Sequence, residues 1–305
     1  MNTNNAMVRL QKACKEKSPL CIGLDTDPSY LPESVISRFP SPAEAVVAYN
    51  QGIVEAASQY AACCKVQVAY YEAMGLAGMK AFSDTLKLVR GSGMIAISDV
   101  KRGDIADTAK AYARAHFSGD FETDIITINP YMGFDTLEPF VEAATAADKG
   151  IFVLLCTSNP GRDDIEKLSL TKGGTVLQAV GNRLNELANR FGVGEGSTSP
   201  VGAVVGATAE EDARALRDAY SRIFFLIPGY GAQGGAARVA ATLLDNAGGT
   251  VNSSRGILCA WKKSAELADK REAGTLTMSD IVGAAEKASE AAMKDLQQAF
   301  AALKA

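Results

Sequence analysis

The sequence predicts an α/β chain folded as a (β/α)8 barrel. Eight short apolar runs alternate with longer amphipathic, Ala-rich stretches. The short runs are apolar throughout instead of alternating, the pattern of parallel strands covered on both faces. The residues just beyond most runs turn polar or charged, as at the C-terminal face of a barrel. A doubly wound open sheet is the competing arrangement. Its glycine-rich first turn is replaced here by Asp25-Thr26-Asp27-Pro28.

In chain order, strands are expected at Leu20–Leu24, Cys63–Val68, Met94–Ser98, Ile125–Ile128, Ile151–Leu155, Val201–Val205, Ile223–Ile227 and Gly249–Asn252. Their lengths suit strands, and each is followed by a helical period. Helices are expected at Pro42–Ser58, Tyr71–Val89, Asp135–Ala146, Gly174–Phe191, Ala209–Ala219 and Ala236–Asp245. The run Gly192–Pro200 reads as a loop before the sixth strand, not a domain linker, because the strand–helix rhythm continues past it. An excursion at about 257–278 precedes a last helix from about Ser279 to Leu303, with Ser279 and Asp280 as N-terminal caps. The whole of 1–305 is expected to form one domain.

Composition narrows the function. The chain has 305 residues, is 47% hydrophobic and carries a net charge of −4. With no basic run longer than two residues, it is not expected to bind nucleic acid. No signal-peptide core follows Met1–Asn5 and no stretch reaches the ~18 apolar residues of a membrane span, so a cytoplasmic chain without membrane contact is expected. Six cysteines form no C-x-x-C, and His116 is the single histidine. A Cys/His zinc site is not expected. Cys21, Cys63 and Cys156 read as small buried thiols in strands.

The most informative segment is Ile97-Ser98-Asp99-Val100-Lys101-Arg102-Gly103-Asp104-Ile105. Asp99 and Lys101 are two apart, so on a strand they point to the same side. A salt bridge is the plain reading. Yet the pair sits at the end of the third strand, where barrels place their chemistry. The other strand ends add Asp25, Asn129-Pro130-Tyr131 and Thr157-Ser158-Asn159-Pro160-Gly161, with Lys65 inside the second strand. A lysine in an apolar run is costly unless paired, which makes Lys65 a candidate member of an alternating charge network with Asp99 and Lys101. After the seventh strand, Pro228-Gly229-Tyr230-Gly231-Ala232-Gln233-Gly234-Gly235 offers backbone N–H groups and a following helix N-terminus to an anion. Arg255, after the eighth strand, is a candidate bidentate partner for a phosphate.

In combination these motifs resemble the orotidine 5'-phosphate decarboxylase family over nearly the whole chain. The resemblance rests on Leu24-Asp25, Lys65, Asp99-x-Lys101-x-x-Asp104-Ile105-x-x-Thr108, Thr157–Gly161, and the Pro228–Gly235 loop followed by Arg255. Asn129–Gly133 and the chain length look like the longer bacterial subgroup. The resemblance implies metal-free, cofactor-free conversion of orotidine 5'-monophosphate to uridine 5'-monophosphate and carbon dioxide. Lys65, Asp99, Lys101 and Asp104 match the family's charged tetrad, with Lys101 as proton donor to C6. Asp25 and Thr108 match ribose contacts and Ser158 the pyrimidine contact. Gln233 and Arg255 match phosphate contacts, in a loop that includes Pro228, Gly229 and Gly231. A homodimer is implied, with Asp104 and Thr108 reaching the partner's site. Asn129 is added as a substrate contact from its place after the fourth strand alone. Two rivals remain on the same barrel: a magnesium-dependent sugar-phosphate decarboxylase or aldolase, and a non-catalytic nucleotide binder.

Overall fold

The computed structural model describes residues 4–192, 199–206, 210–230 and 235–304. Eight parallel strands close in sequence order: β1 Leu20–Gly23, β2 Cys63–Gln67, β3 Ile95–Arg102, β4 Ile125–Ile128, β5 Gly150–Cys156, β6 Val201–Val205, β7 Phe225–Ile227 and β8 Gly249–Ser253. Around them lie helices α1 Ala6–Glu16, α2 Pro42–Ala57, α3 Gly75–Gly91, α4 Ala106–Phe117, α5 Glu138–Ala146, α6 Val176–Phe191, α7 Glu210–Ala219, α8 Gly235–Leu244 and α9 Met278–Lys304. The expected (β/α)8 barrel is what the chain forms.

Alternation along each strand sorts side chains between two cores. Cys21, Cys63, Ile95, Ile97, Ile125, Phe152, Val204 and Leu226 fill the barrel interior. Leu20, Ile22, Cys64, Val66, Ala96, Ile126, Val153, Val205 and Ile227 belong to the larger core shared with the helices. Each Val, Leu, Ile or Phe among them, fully buried, contributes roughly 1.5–3 kcal/mol. Lys65, Asp99 and Thr127 share the inward parity of Cys63, Ile97 and Ile125, so they form the next interior layer towards the strand ends.

The other end of the barrel is closed by α1, which the sequence reading did not anticipate. Asn5 caps it, its side chain accepting from the N–H groups of Met7 and Val8. Only Ala6, Met7 and Leu10 of α1 are buried, and they join the interior cluster.

Several boundaries differ from expectation for local reasons. The second strand stops at Gln67, and the helix expected from Tyr71 is split into Val68–Glu72 and α3. Gly75, at φ +67°, makes that break. β7 starts at Phe225, not Ile223. The buried Arg217 guanidinium lies 3.7 Å from the Phe225 ring centroid and takes up the carbonyls of Tyr220 and Ile223. The last helix is capped by Thr277, not by Ser279 or Asp280. Asp280 N–H donates to Thr277 Oγ1, and Thr277 N–H donates back to Asp280 Oδ2 at 2.9 Å. Between β8 and α9 the chain forms short helical turns at Arg255–Leu258, Ala260–Lys262, Ala265–Leu267 and Ala268–Glu272. The loop expected at 192–200 falls largely outside the described residues. No helix among those described is long and apolar enough to cross a membrane.

Candidate active site

At the C-terminal ends of β1, β2 and β3 the interior layer is a chain of alternating charges. Lys65 Nζ donates to Asp25 Oδ1 at 2.9 Å and to Asp99 Oδ2 at 3.1 Å. Lys101 Nζ donates to the other Asp99 oxygen, Oδ1, at 2.6 Å. The side chains of Lys65 and Asp99 are nearly buried, whereas that of Lys101 is 47% exposed. Lys101 is therefore the open end of the chain. The structure thus brings together Asp25, Lys65, Asp99 and Lys101.

Three further polar residues hold these charges in place: Ser254, expected among the polar strand ends, and Gln67 and Thr127, which carried no such expectation. Gln67 Nε2 donates to Asp99 Oδ2 at 2.9 Å, and Ser254 Oγ donates to Asp25 Oδ2 at 2.7 Å. Ser254 comes this close because Gly23 leaves it room: a Cβ there would lie 1.9 Å from Ser254 Oγ. Thr127, on β4, donates to Asp99 Oδ1 at 2.8 Å. Its Oγ1 also accepts from the N–H groups of Val100 and Lys101, at 3.0 and 2.9 Å.

Those last two bonds correct the simple strand argument. Asp99 and Lys101 do meet, but not by regular alternation. The pairing of β3 with β4 shifts register between Ser98 and Arg102, and Lys101 has φ +45°. A lysine in left-handed backbone is disfavoured and persists only where its surroundings fix it. Here Thr127 supplies that fixation.

The network sets the charge of its buried members. Burial alone would push the Lys65 ammonium towards neutrality, but Asp25 and Asp99 outweigh it and raise its pKa above the ordinary lysine range. Burial likewise opposes ionisation of Asp99. Lys65 and Lys101, with hydrogen bonds from Lys101 and Thr127, overcome it and lower its pKa.

None of the other expected residues that the structure describes hydrogen-bonds to this charge chain. Asp104 is half-buried, and its Oδ1 accepts the N–H of Ile105 at 2.8 Å. Thr108 is exposed on the first turn of α4. Asn129 closes a turn of its own, Oδ1 accepting from Tyr131 N–H at 2.9 Å. Ser158 is exposed just beyond β5. Pro228 and Gly229, the latter at φ +86°, follow β7. Gly231 and Gln233 lie outside the described residues. Arg255 opens a short helix after β8 and is exposed.

The fold and this site define a (β/α)8-barrel protein with a composite polar site at the C-terminal strand ends. A family model described as "Orotidine 5'-phosphate decarboxylase / HUMPS family" matches residues 18–269. The chain belongs to that family. The orotidine 5'-phosphate decarboxylase of Clostridium botulinum (strain Loch Maree / Type A3) is 50% identical over 256 residues, 84% of this chain and 89% of that one. The protein of the same name from Clostridium novyi (strain NT) is 47% identical over the same shares. Among solved structures, the OMP decarboxylase of Leishmania donovani superposes with a TM-score of 0.67 at 29% identity, covering 93% of this chain and 95% of that one.

Proposed function

We propose that this chain decarboxylates orotidine 5'-monophosphate to uridine 5'-monophosphate and carbon dioxide, the last step in making the pyrimidine nucleotide. The observation that carries this reading is the sharing of Asp99 between a buried and an exposed ammonium. Breaking the C6–carboxylate bond leaves its electron pair on C6, a carbon with no ready π-sink. A fixed cation beside that carbon stabilises the charge electrostatically. Lys101 Nζ then gives its proton to C6, and solvent restores it. Asp99 keeps Lys101 charged and aimed; Lys65 and Asp25 keep Asp99 ionised.

The substrate's other parts are assigned by family resemblance. Asp25 and Thr108 would contact the ribose and Ser158 the pyrimidine. Gln233 and Arg255 would hold the phosphate with the backbone of Pro228, Gly229 and Gly231. Asn129 would contact the substrate through its amide nitrogen, since its Oδ1 serves its own turn. In this reading the chain works as a single-domain subunit of a cytoplasmic homodimer. Asp104 and Thr108 then complete the neighbouring subunit's site.

The magnesium-dependent rival meets a chemical obstacle. The position between Asp25 and Asp99 is taken by the Lys65 ammonium, which with Lys101 balances the two carboxylates and repels a further cation. The deciding experiment follows the ultraviolet absorbance of orotidine 5'-monophosphate with excess chelator. Steady turnover supports the proposal. Strict dependence on added magnesium would favour the rival, and binding without turnover a nucleotide-binding barrel.

A further inference from the structure

Ser158 leaves β5 on a segment that has little apolar packing to hold it. Residues 158–161 and most of 163–174 are exposed. Behind them lies a cavity of about 220 Å3, bordered by Cys156, Arg162, Glu166, Gln178, Asp212 and Tyr220. With so much of it exposed, the segment is held largely by polar contacts.

Those contacts converge on the two residues before Ser158. The N–H and Oγ1 of Thr157 both donate to Glu166 Oε1, each at 2.8 Å. Arg162 donates from one nitrogen to Cys156 Sγ at 2.9 Å and to the Thr157 carbonyl at 3.3 Å. Its other terminal nitrogen donates to Asp212 Oδ2, on α7, at 3.2 Å. Arg162 and Glu166 are half-buried in a segment that is otherwise almost wholly exposed. From the opposite side, Gly206 N–H donates to the Cys156 carbonyl at 2.7 Å. A Cβ at Gly206 would stand 2.9 Å from both Ser158 N and Ser158 Cβ, so this strand end presses directly on Ser158.

We propose that Arg162 and Glu166 are positioning residues that set Ser158 against the pyrimidine ring, with Gly206 as the opposing wall. The proposal rests on reading Ser158 as the base contact. Glu166 acts only through Oε1. Its Oε2 is buried without a hydrogen-bond partner, a cost the site bears while the other oxygen orders Thr157. The specificity for the base then depends on a carboxylate eight residues away in sequence that never meets the nucleotide.

The test measures dissociation constants for uridine 5'-monophosphate and ribose 5-phosphate, which lacks the base. Ser158→Ala and Glu166→Ala should each weaken the nucleotide about tenfold, the scale of one hydrogen bond. Both should leave ribose 5-phosphate within about twofold, and the double variant should be no worse than either single one, as for residues acting as a unit. Glu166→Gln keeps a carbonyl oxygen for Thr157 and should restore nucleotide binding. The proposal is overturned if Glu166→Ala leaves nucleotide affinity intact, if its loss adds to that of Ser158→Ala, or if both ligands weaken alike. If Ser158→Ala itself changes nothing, the base-contact reading fails first, and the positioning role falls with it.

Discussion

Lys65 and Lys101 donate to opposite oxygens of one carboxylate, Asp99 Oδ2 and Oδ1, at 3.1 and 2.6 Å. Gln67 and Thr127 add one donor to each oxygen, so Asp99 accepts four hydrogen bonds. Such a carboxylate needs no rearrangement to serve either lysine.

Asp99→Ala should therefore destabilise the fold as well as stop turnover. It strips Lys65 of one of its two partners, and breaking a buried pair costs about 3 kcal/mol. Asp25 keeps the loss at that lower end. Denaturant titration measures it. The sign of the pH effect follows from the lowered pKa of Asp99. Its stabilisation is present above the unfolded carboxylate range and disappears only as pH falls through the still lower folded value. The deficit of Asp99→Ala should thus be full at neutral pH.

Lys101→Ala should lower kcat by about 10³-fold or more, the scale of a positioned proton donor and cation combined. Binding of uridine 5'-monophosphate should remain measurable by titration calorimetry, since the proposed phosphate and ribose contacts are untouched. Near-normal turnover would remove Lys101 from its role.

Thr127 offers a subtler test. Thr127→Val keeps the shape but loses the hydroxyl that orients Asp99 and accepts from the Val100 and Lys101 N–H groups. We expect kcat to drop about tenfold to a hundredfold with little change in product affinity, because the aim of Lys101 relaxes. Thr127→Ser should recover most of it. A change confined to KM would point elsewhere.

The proposed homodimer with shared sites predicts recovery when two inactive variants are mixed. Lys101→Ala and Asp104→Ala are each expected to be nearly inactive alone. After subunit exchange, half the dimers are hybrids with one intact site, giving about a quarter of wild-type activity. Verified exchange without recovery would count against Asp104 acting across the interface.

The single histidine reports on stability. His116 is 4% exposed, and burial, then the nearby Arg102 charge, lower its pKa to about 4. The folded state keeps it neutral where the unfolded chain protonates near 6.5. Stability present above that pH should fall by about 2 kcal/mol between pH 7.5 and 5. His116→Gln should flatten that slope in denaturant titrations; an unchanged slope would assign it to other groups.

Most strands were legible as short apolar runs, β8 least so because Gly249–Ser253 is largely polar, and inward parity alone aligns Lys65 with Asp99. Helix α1 escaped notice because only Ala6, Met7 and Leu10 of its eleven residues are buried, too short a stripe for a periodic signal. The bend at Lys101 comes from β4, a partner that no local pattern in β3 reveals. Thr127 carried a faint sign, a hydroxyl inside Ile-Ile-Thr-Ile. Glu166 carried none, being one acid in a polar loop. Asp104 could be matched only by motif, since its expected partner belongs to another subunit.

The left-handed backbone at Lys101 makes Asp-x-Lys a poor graft. Copied onto a straight strand of another barrel, the two side chains would still share a face, but the ammonium would leave the backbone along a different line. A designer would have to transplant the threonine of the adjoining strand as well. The smallest movable piece is thus a pair of neighbouring strands, and a six-residue signature found in isolation is no guarantee that the geometry came with it.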